Sequence, residues 1–413
     1  MDPLRIVLVM NEPPLPFGDA AARWYYVLFR GLVERGHRVS AFAAFGDPAR
    51  AEQAAQLFPA PDYDLRLFPH RNRSGWKEKL ETLRRPYSYT FDLPFRQDLA
   101  EELARGFDLL HLESLWSGWV GREHAEKALL TIQFLYSIDL ADAPVKTWRD
   151  RFLRFLTYRA ERELLRQFPQ ISSLATRLNE AVRRLTPEAR QHLVPLALDL
   201  GLYPFEPKGE NRAEAPVVGL IGSFGWYPSF SAAERLITRL WPEIKRRVPT
   251  ARLQIVGRSA RKALGGLVSG LGPEVILAED VPDIFPYFRA LDVMLYTPIR
   301  GSGMKVKVME AFALGVPVVT TAEGVEGLEA EDGVHAGISE EDDVLIERTV
   351  ALLNDPNRAA EQARAARDLL ERQCGPVPVL DRLEQVYAEI LRPGRSLVEL
   401  PSSAGLGGGA SAT

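Results

Sequence analysis

The stretch that most constrains this chain runs from Val293 to Thr320, VMLYTPIRGSGMKVKVMEAFALGVPVVT. A short apolar run, Val293 to Tyr296, reads as a buried strand and gives way to the glycine turn Gly301-Ser302-Gly303. A helical pattern follows up to Leu314. Gly315 closes it as a C-terminal glycine would, and Pro317 cannot continue it. Val318 to Thr320 resumes as a strand. Strand, turn, helix and strand in that order make one unit of a parallel sheet, which places the chain in the α/β class.

The turn is where chemistry is expected. Gly301 and Gly303 leave the backbone bare, and free N–H groups at a helix start favour an anion. Lys305 and Lys307 add positive charge there, and Met304 lies between the turn and the helix. Two lysines in a first turn oppose the helix dipole, a cost that an anionic ligand would offset. Glu310, about two helical turns in, could accept hydrogen bonds from a vicinal diol. Phosphate plus ribose is the ligand such a set fits. Spacing alone equally allows solvated lysines and an i,i+3 pair between Lys307 and Glu310.

The segment resembles the nucleotide-binding signature of GT-B glycosyltransferases of family 4, in which a glycine loop precedes a helix reading E-A-x-A-x-G-x-P-V-V. Glu310, Ala311, Ala313, Gly315, Pro317, Val318 and Val319 stand at those places. The resemblance implies that Glu310 binds the donor ribose. Many members carry another glutamate eight positions earlier, and Ser302 stands there. A subgroup with G-x-x-x-K-x-x-E-A fits better, and Lys307 is its lysine. Further matches are Gly222-Ser223-Phe224-Gly225-Trp226-Tyr227-Pro228-Ser229, then Leu253 to Gly257, then Val281-Pro282-Asp283 with Pro286-Tyr287. Where many members place Arg and Lys in the first of these loops to hold the diphosphate, this chain has Ser223 and Ser229. Lys305, Lys307 or Arg258 would then supply the charge, since a buried diphosphate needs cations.

The length of 413 residues suits two domains, and 46% apolar with 26% charged residues is ordinary soluble composition. A net charge of −4 does not point to nucleic acid. The single cysteine, Cys374, excludes an internal disulfide and any multi-cysteine metal site. No run reaches the length of a signal-peptide core or a spanning helix, so a cytoplasmic enzyme is expected, with any membrane contact peripheral.

In chain order, Arg5 to Met10 reads as a buried parallel strand, followed by a stiff loop from Asn11 to Gly18 and a helix from Asp19 to Arg35. His37 to Phe42, Phe107 to Leu112, Lys127 to Phe134, Ile171 to Ala175 and His192 to Pro195 are further strands of the first half. The absence of G-x-G-x-x-G argues against a nicotinamide site there. Asp62-Tyr63-Asp64 is a D-x-D without the context of a metal site and reads as surface. Gly18 is a backbone position where donor or acceptor approaches. His111 beside Glu113, and Asp139 in the next loop, are candidate acid, base or acceptor groups, against a core reading for the histidine. Arg23 is a weaker charge candidate. Ala143 to Phe168 reads as a helix rich in arginine, packing on the sheet with a solvated basic face. Its alternative is docking of residues 144–167 on anionic lipid or an anionic acceptor.

The second half continues with strands at Val217 to Ile221, Arg252 to Val256 and Val275 to Leu277. The expected layout is a first Rossmann-like domain over 1–208, which takes the acceptor. A linker over 209–215 and a donor domain over 216–375 follow. A helix over 376–392 crosses back, and 393–413 is a disordered tail. The GT-B resemblance covers nearly the whole chain. It implies two such domains facing across a cleft and retaining transfer of sugar from a nucleotide-sugar donor to a glycan, lipid-linked or small-molecule hydroxyl, with no metal and no separate cofactor. Two alternatives carry different chemistry: a GT-B-fold nucleotide-sugar epimerase, and an inactive nucleotide-sugar-binding partner.

Overall fold

The computed structural model describes residues 2–71, 75–208 and 215–391. Seven parallel strands form the first sheet: β1 (Arg5–Met10), β2 (Arg38–Phe45), β3 (Asp64–Pro69), β4 (Leu109–Glu113), β5 (Ala128–Ile132), β6 (Gln170–Ser173) and β7 (Arg190–Leu193). Their order is β3-β2-β1-β4-β5-β6-β7. Six parallel strands form the second: β8 (Val217–Ile221), β9 (Arg252–Val256), β10 (Val275–Ala278), β11 (Val293–Tyr296), β12 (Val318–Thr320) and β13 (Gly337–Ile338). Their order, β10-β9-β8-β11-β12-β13, repeats the same winding.

In each sheet the strand order reverses beside the first strand, between β1 and β4 and between β8 and β11. Ligands of such sheets bind outside the carboxyl ends of the strands at that reversal. The loops that leave β1, β4, β8 and β11 therefore define where a site can lie, and they carry most of the candidate residues. The strands there are buried on both faces, as parallel sheets require: β4, β5 and β11 have no exposed residue.

The helix Pro376–Leu391 returns to the first sheet and packs on the helix Ala20–Glu34. Arg35 pairs with Asp381 and Glu384, each at 2.7 Å, and Glu384 also lies 2.9 Å from His37 Nε2. Tyr387 from the same helix reaches His111 in β4, with its hydroxyl 2.6 Å from Nδ1.

Several expectations are corrected. β3 and β13 were not anticipated: β3 is a half-exposed edge strand, DLRLFP, without an apolar run to mark it. Asp64 opens β3 and bonds Arg66, so only part of the D-x-D is loop. The arginine-rich helix is shorter than 143–168, spanning Trp148–Leu165, because Thr147 and Asp150 form a capping box that fixes its start. The expected linker, except Ala215, and the expected tail 393–413 lie outside the described residues.

Candidate active site

The glycine loop after β11 meets the loop after β5 face to face. Gly303 has φ +70°, and a Cβ there would lie 2.0 Å from the Gln133 carbonyl oxygen, so only glycine fits. The backbone N–H of Leu135 donates to Ser302 Oγ at 2.9 Å. Ser302 Oγ in turn donates to Asp139 Oδ1 at 2.5 Å. Asp139 ends a short turn of helix, Tyr136–Asp139, whose first N–H groups are taken by Glu161 from the arginine-rich helix, at 2.5 Å from Tyr136 N and 3.2 Å from Ser137 N. Burial pushes the Asp139 carboxyl up to about 6, against the pull of the Ser302 bond and of Lys305. Ser302, at the position where the family's sugar-contacting glutamate is expected, thus ties the two domains together.

Lys305 precedes the helix Val306–Leu314 and turns back on the loop. Its Nζ donates to the Gly303 carbonyl at 2.5 Å and lies 3.7 Å from Glu323. A Cβ on Gly301 would lie 3.3 Å from Lys305 Cε. Glu323 also pairs with Arg177 at 2.8 Å, and burial pushes neighbouring Glu326 up to about 7.

Lys307 points the other way. Its Nζ donates to Ser229 Oγ at 2.6 Å, stands 4.4 Å from the Tyr296 ring centroid, and lies 2.9 Å from where a Cβ on Gly222 would be. No carboxylate bonds it among the described residues. Burial, with repulsion from Lys305, pushes its ammonium down to about 7. The charge thus lies against the loop after β8 that contains Ser223 and Ser229, where arginine and lysine are lacking.

Glu310, nearly buried, is not paired with Lys307. Arg23 Nη1, from the first domain, lies 2.6 Å from Glu310 Oε1. Burial alone would lower the Arg23 pKa, but Glu310 together with Tyr203 and Asp19 outweighs it and the net shift is upward. Tyr203 packs beside them, and among the described residues its buried hydroxyl has no hydrogen-bond partner, nor does Arg23 Nε. Arg23, a weaker charge candidate in the sequence, is the first-domain residue that meets Glu310. Its signal was a guanidinium in the first turn of the helix that follows the Gly18 loop.

The remaining candidates divide. Gly18 has φ +127° and lies against Arg50. Arg258, 62% exposed, ion-pairs with Asp19, which also accepts from Arg50 at 2.8 Å. Arg258 is therefore matched by a carboxylate, unlike Lys307. Met304 packs inward, its sulfur accepting from Leu196 N at 3.1 Å. His111 is fully buried, with Nε2 2.9 Å from Thr131 Oγ1 and 3.1 Å from Glu113. Glu113 is held further by Trp24 at 2.9 Å and Gln133 at 3.0 Å. The aromatic side chains Tyr136 and Phe134 meet Trp226 of the second domain at 5.6 and 5.8 Å, a contact not foreseen from sequence.

Residues 21–197 match the family model described as glycosyl transferase 4-like domain, and residues 215–371 match that described as glycosyl transferases group 1. The chain is a GT-B glycosyltransferase. No curated protein matches it in sequence. Sucrose-phosphate synthase from Thermosynechococcus elongatus is similar in structure, with TM-score 0.68, 19% identity, and coverage of 94% of this chain and 99% of that one. HepE of Anabaena in complex with UDP-glucose is similar at TM-score 0.64 and 16% identity, covering 93% and 100%. WaaG, a glycosyltransferase involved in lipopolysaccharide biosynthesis, is similar at TM-score 0.60 and 15% identity, covering 94% and 100%. In this glycosyltransferase the likeness fixes the fold, and the loops decide the chemistry.

Proposed function

We propose that this glycosyltransferase binds a nucleoside diphosphate sugar between the glycine loop and the loop after β8, and passes the sugar to an acceptor hydroxyl delivered from the first domain. The observation that carries this reading is Lys307: a half-buried ammonium bonded to a hydroxyl and, among the described residues, to no carboxylate. Burying an unmatched charge is costly, and an anion against the Gly222–Ser229 loop would offset that cost. HepE, with a similar fold, was solved with UDP and UDP-glucose, which fits a nucleotide of this kind.

Roles follow from placement. Lys307 and the N-terminus of the helix Val306–Leu314 stabilise the departing diphosphate, where negative charge grows as the glycosidic bond breaks. Glu310 accepts the ribose hydroxyls once Arg23 yields one carboxylate oxygen. Asp139, near neutrality in its titration and bonded to Ser302, orients the acceptor or holds the cleft shut. His111, with both ring nitrogens engaged, positions Glu113 beneath the cleft rather than meeting substrate. Charge stabilisation by protein groups leaves no step that calls for a metal, and attack from the donor face gives retention.

Incubation with single nucleotide-sugars, with EDTA present and with or without candidate acceptors, tests the reading. Acceptor-dependent release of nucleoside diphosphate, with the anomeric centre retained by NMR, is the expected result. Donor converted to its epimer, or left unchanged with every acceptor, overturns it.

A further inference from the structure

Two neighbouring helices of the first domain turn apolar residues outward in the same pattern. On Trp148–Leu165, Trp148, Phe152 and Phe155 stand at i, i+4 and i+7 and are 81%, 47% and 61% exposed. On Trp76–Arg84, Trp76, Leu80 and Leu83 repeat the spacing at 72%, 42% and 37%. The longer helix buries a different side, Ala160, Glu161, Leu164 and Leu165, and no residue of the shorter one is buried, so these stripes are not core faces. Exposed basic residues border them: Arg149, Arg151, Arg159 and Arg162 on the longer helix, Lys77 and Lys79 on the shorter. The chain as a whole carries −4, so this positive face is local.

Between the helices lies a cavity of about 140 Å³ lined by Leu83, Tyr87, Leu153 and Leu156 among others. Tyr87 stacks on Trp116 at 4.8 Å and on Tyr136 at 5.4 Å, and Tyr136 meets Trp226 across the cleft. The surface is thus continuous with the aromatic cluster that joins the two domains.

We propose that this face docks on an anionic lipid bilayer. No helix among the described residues is long and apolar enough to cross a membrane, and the contact proposed here is interfacial. Tryptophan and phenylalanine flanked by arginine and lysine match the boundary between acyl chains and anionic headgroups. Each basic side chain near such a surface contributes about fivefold in partitioning, which salt removes. Charge complementarity favours lipid over a second copy of this chain, whose matching face would bring like charges together.

The test is flotation of the full chain with vesicles of phosphatidylcholine alone and with phosphatidylglycerol added, beside the double variant Trp148→Ser/Phe155→Ser. Both positions are exposed, and an unchanged thermal melting curve confirms that the variant folds. The proposal predicts binding to anionic vesicles only, lost at high salt and reduced at least tenfold in the double variant. Failure to bind anionic vesicles, binding that ignores lipid charge, or binding unchanged in the variant overturns it. A dimer in solution that the double variant splits, without vesicle binding, assigns the face to a second copy instead.

Discussion

Arg23 of the first domain holds Glu310 of the second at 2.6 Å, both nearly buried. The pair places the ribose candidate under a guanidinium that the rest of the chain delivers from the opposite wall of the cleft. At the proposed donor site a nucleotide would share or displace that contact, so closing the domains and binding the nucleotide would draw on the same carboxylate.

Removing one partner leaves the other as an uncompensated buried charge, which typically costs about 3–5 kcal/mol. Glu310→Ala is therefore expected to lower the melting temperature, and Arg23→Met in the same chain to restore much of it. A denaturation series over the two single variants and the double checks this. Additive losses would show that the pair is not coupled.

Lys307 gives a pH signature. With its ammonium held near 7, the free protein is increasingly neutral at that site above pH 7, while a bound diphosphate demands the charged form. Nucleotide binding should take up a proton near pH 8, and affinity should fall by up to about tenfold per pH unit above 7. Calorimetry in buffers of different ionisation enthalpy reads the proton directly. In Lys307→Met both the uptake and at least tenfold of the affinity should disappear.

Asp139 titrates higher in the folded chain, about 6, than the ordinary 3.8. Its contribution to stability is therefore full below about pH 4 and lost as pH rises through 6. Asp139→Asn keeps an acceptor for Ser302 without the buried charge. It should be more stable than the parent at pH 7.5 by about 2–3 kcal/mol, with no gain at pH 4. Melting curves at the two values decide it. A variant less stable at pH 7.5 would mean that the charge is compensated.

Gly303→Ala tests the seam between the domains. Its added methyl must displace the Gln133 carbonyl from 2.0 Å and adopt φ +70°. Loss of the Leu135–Ser302–Asp139 contacts should reduce turnover far more than the melting temperature, which comparison of kcat with Tm resolves.

What the sequence made legible follows from local physics. β8, β9, β11 and β12 are runs of buried residues that a parallel sheet covers on both faces, so Val217–Ile221 and Val293–Tyr296 are bounded by their own hydrophobicity. β3 escaped because an edge strand alternates Asp64, Arg66 and half-buried leucines. Lys307 and Glu310 were visible because they follow a glycine turn on one helix. Their partners were not: Ser229 and Arg23 lie far off in the chain, and only the fold brings them near. Ser302 looked like a missing glutamate, while its tie to Asp139 depends on a loop from the other sheet. For the same reason the arginine-rich helix read as a solvated basic face. Spacing gave its charges, and packing decided that Trp148 and Phe155 point outward.

The most direct test of the donor site is thermal shift of the purified chain against UDP, GDP, ADP, TDP and their sugars. The account predicts that one nucleoside diphosphate raises Tm, by an amount set by its concentration over Kd. That shift should vanish in both Glu310→Gln and Lys307→Met. No shift with any nucleotide at millimolar concentration, or one that survives both substitutions, would contradict it.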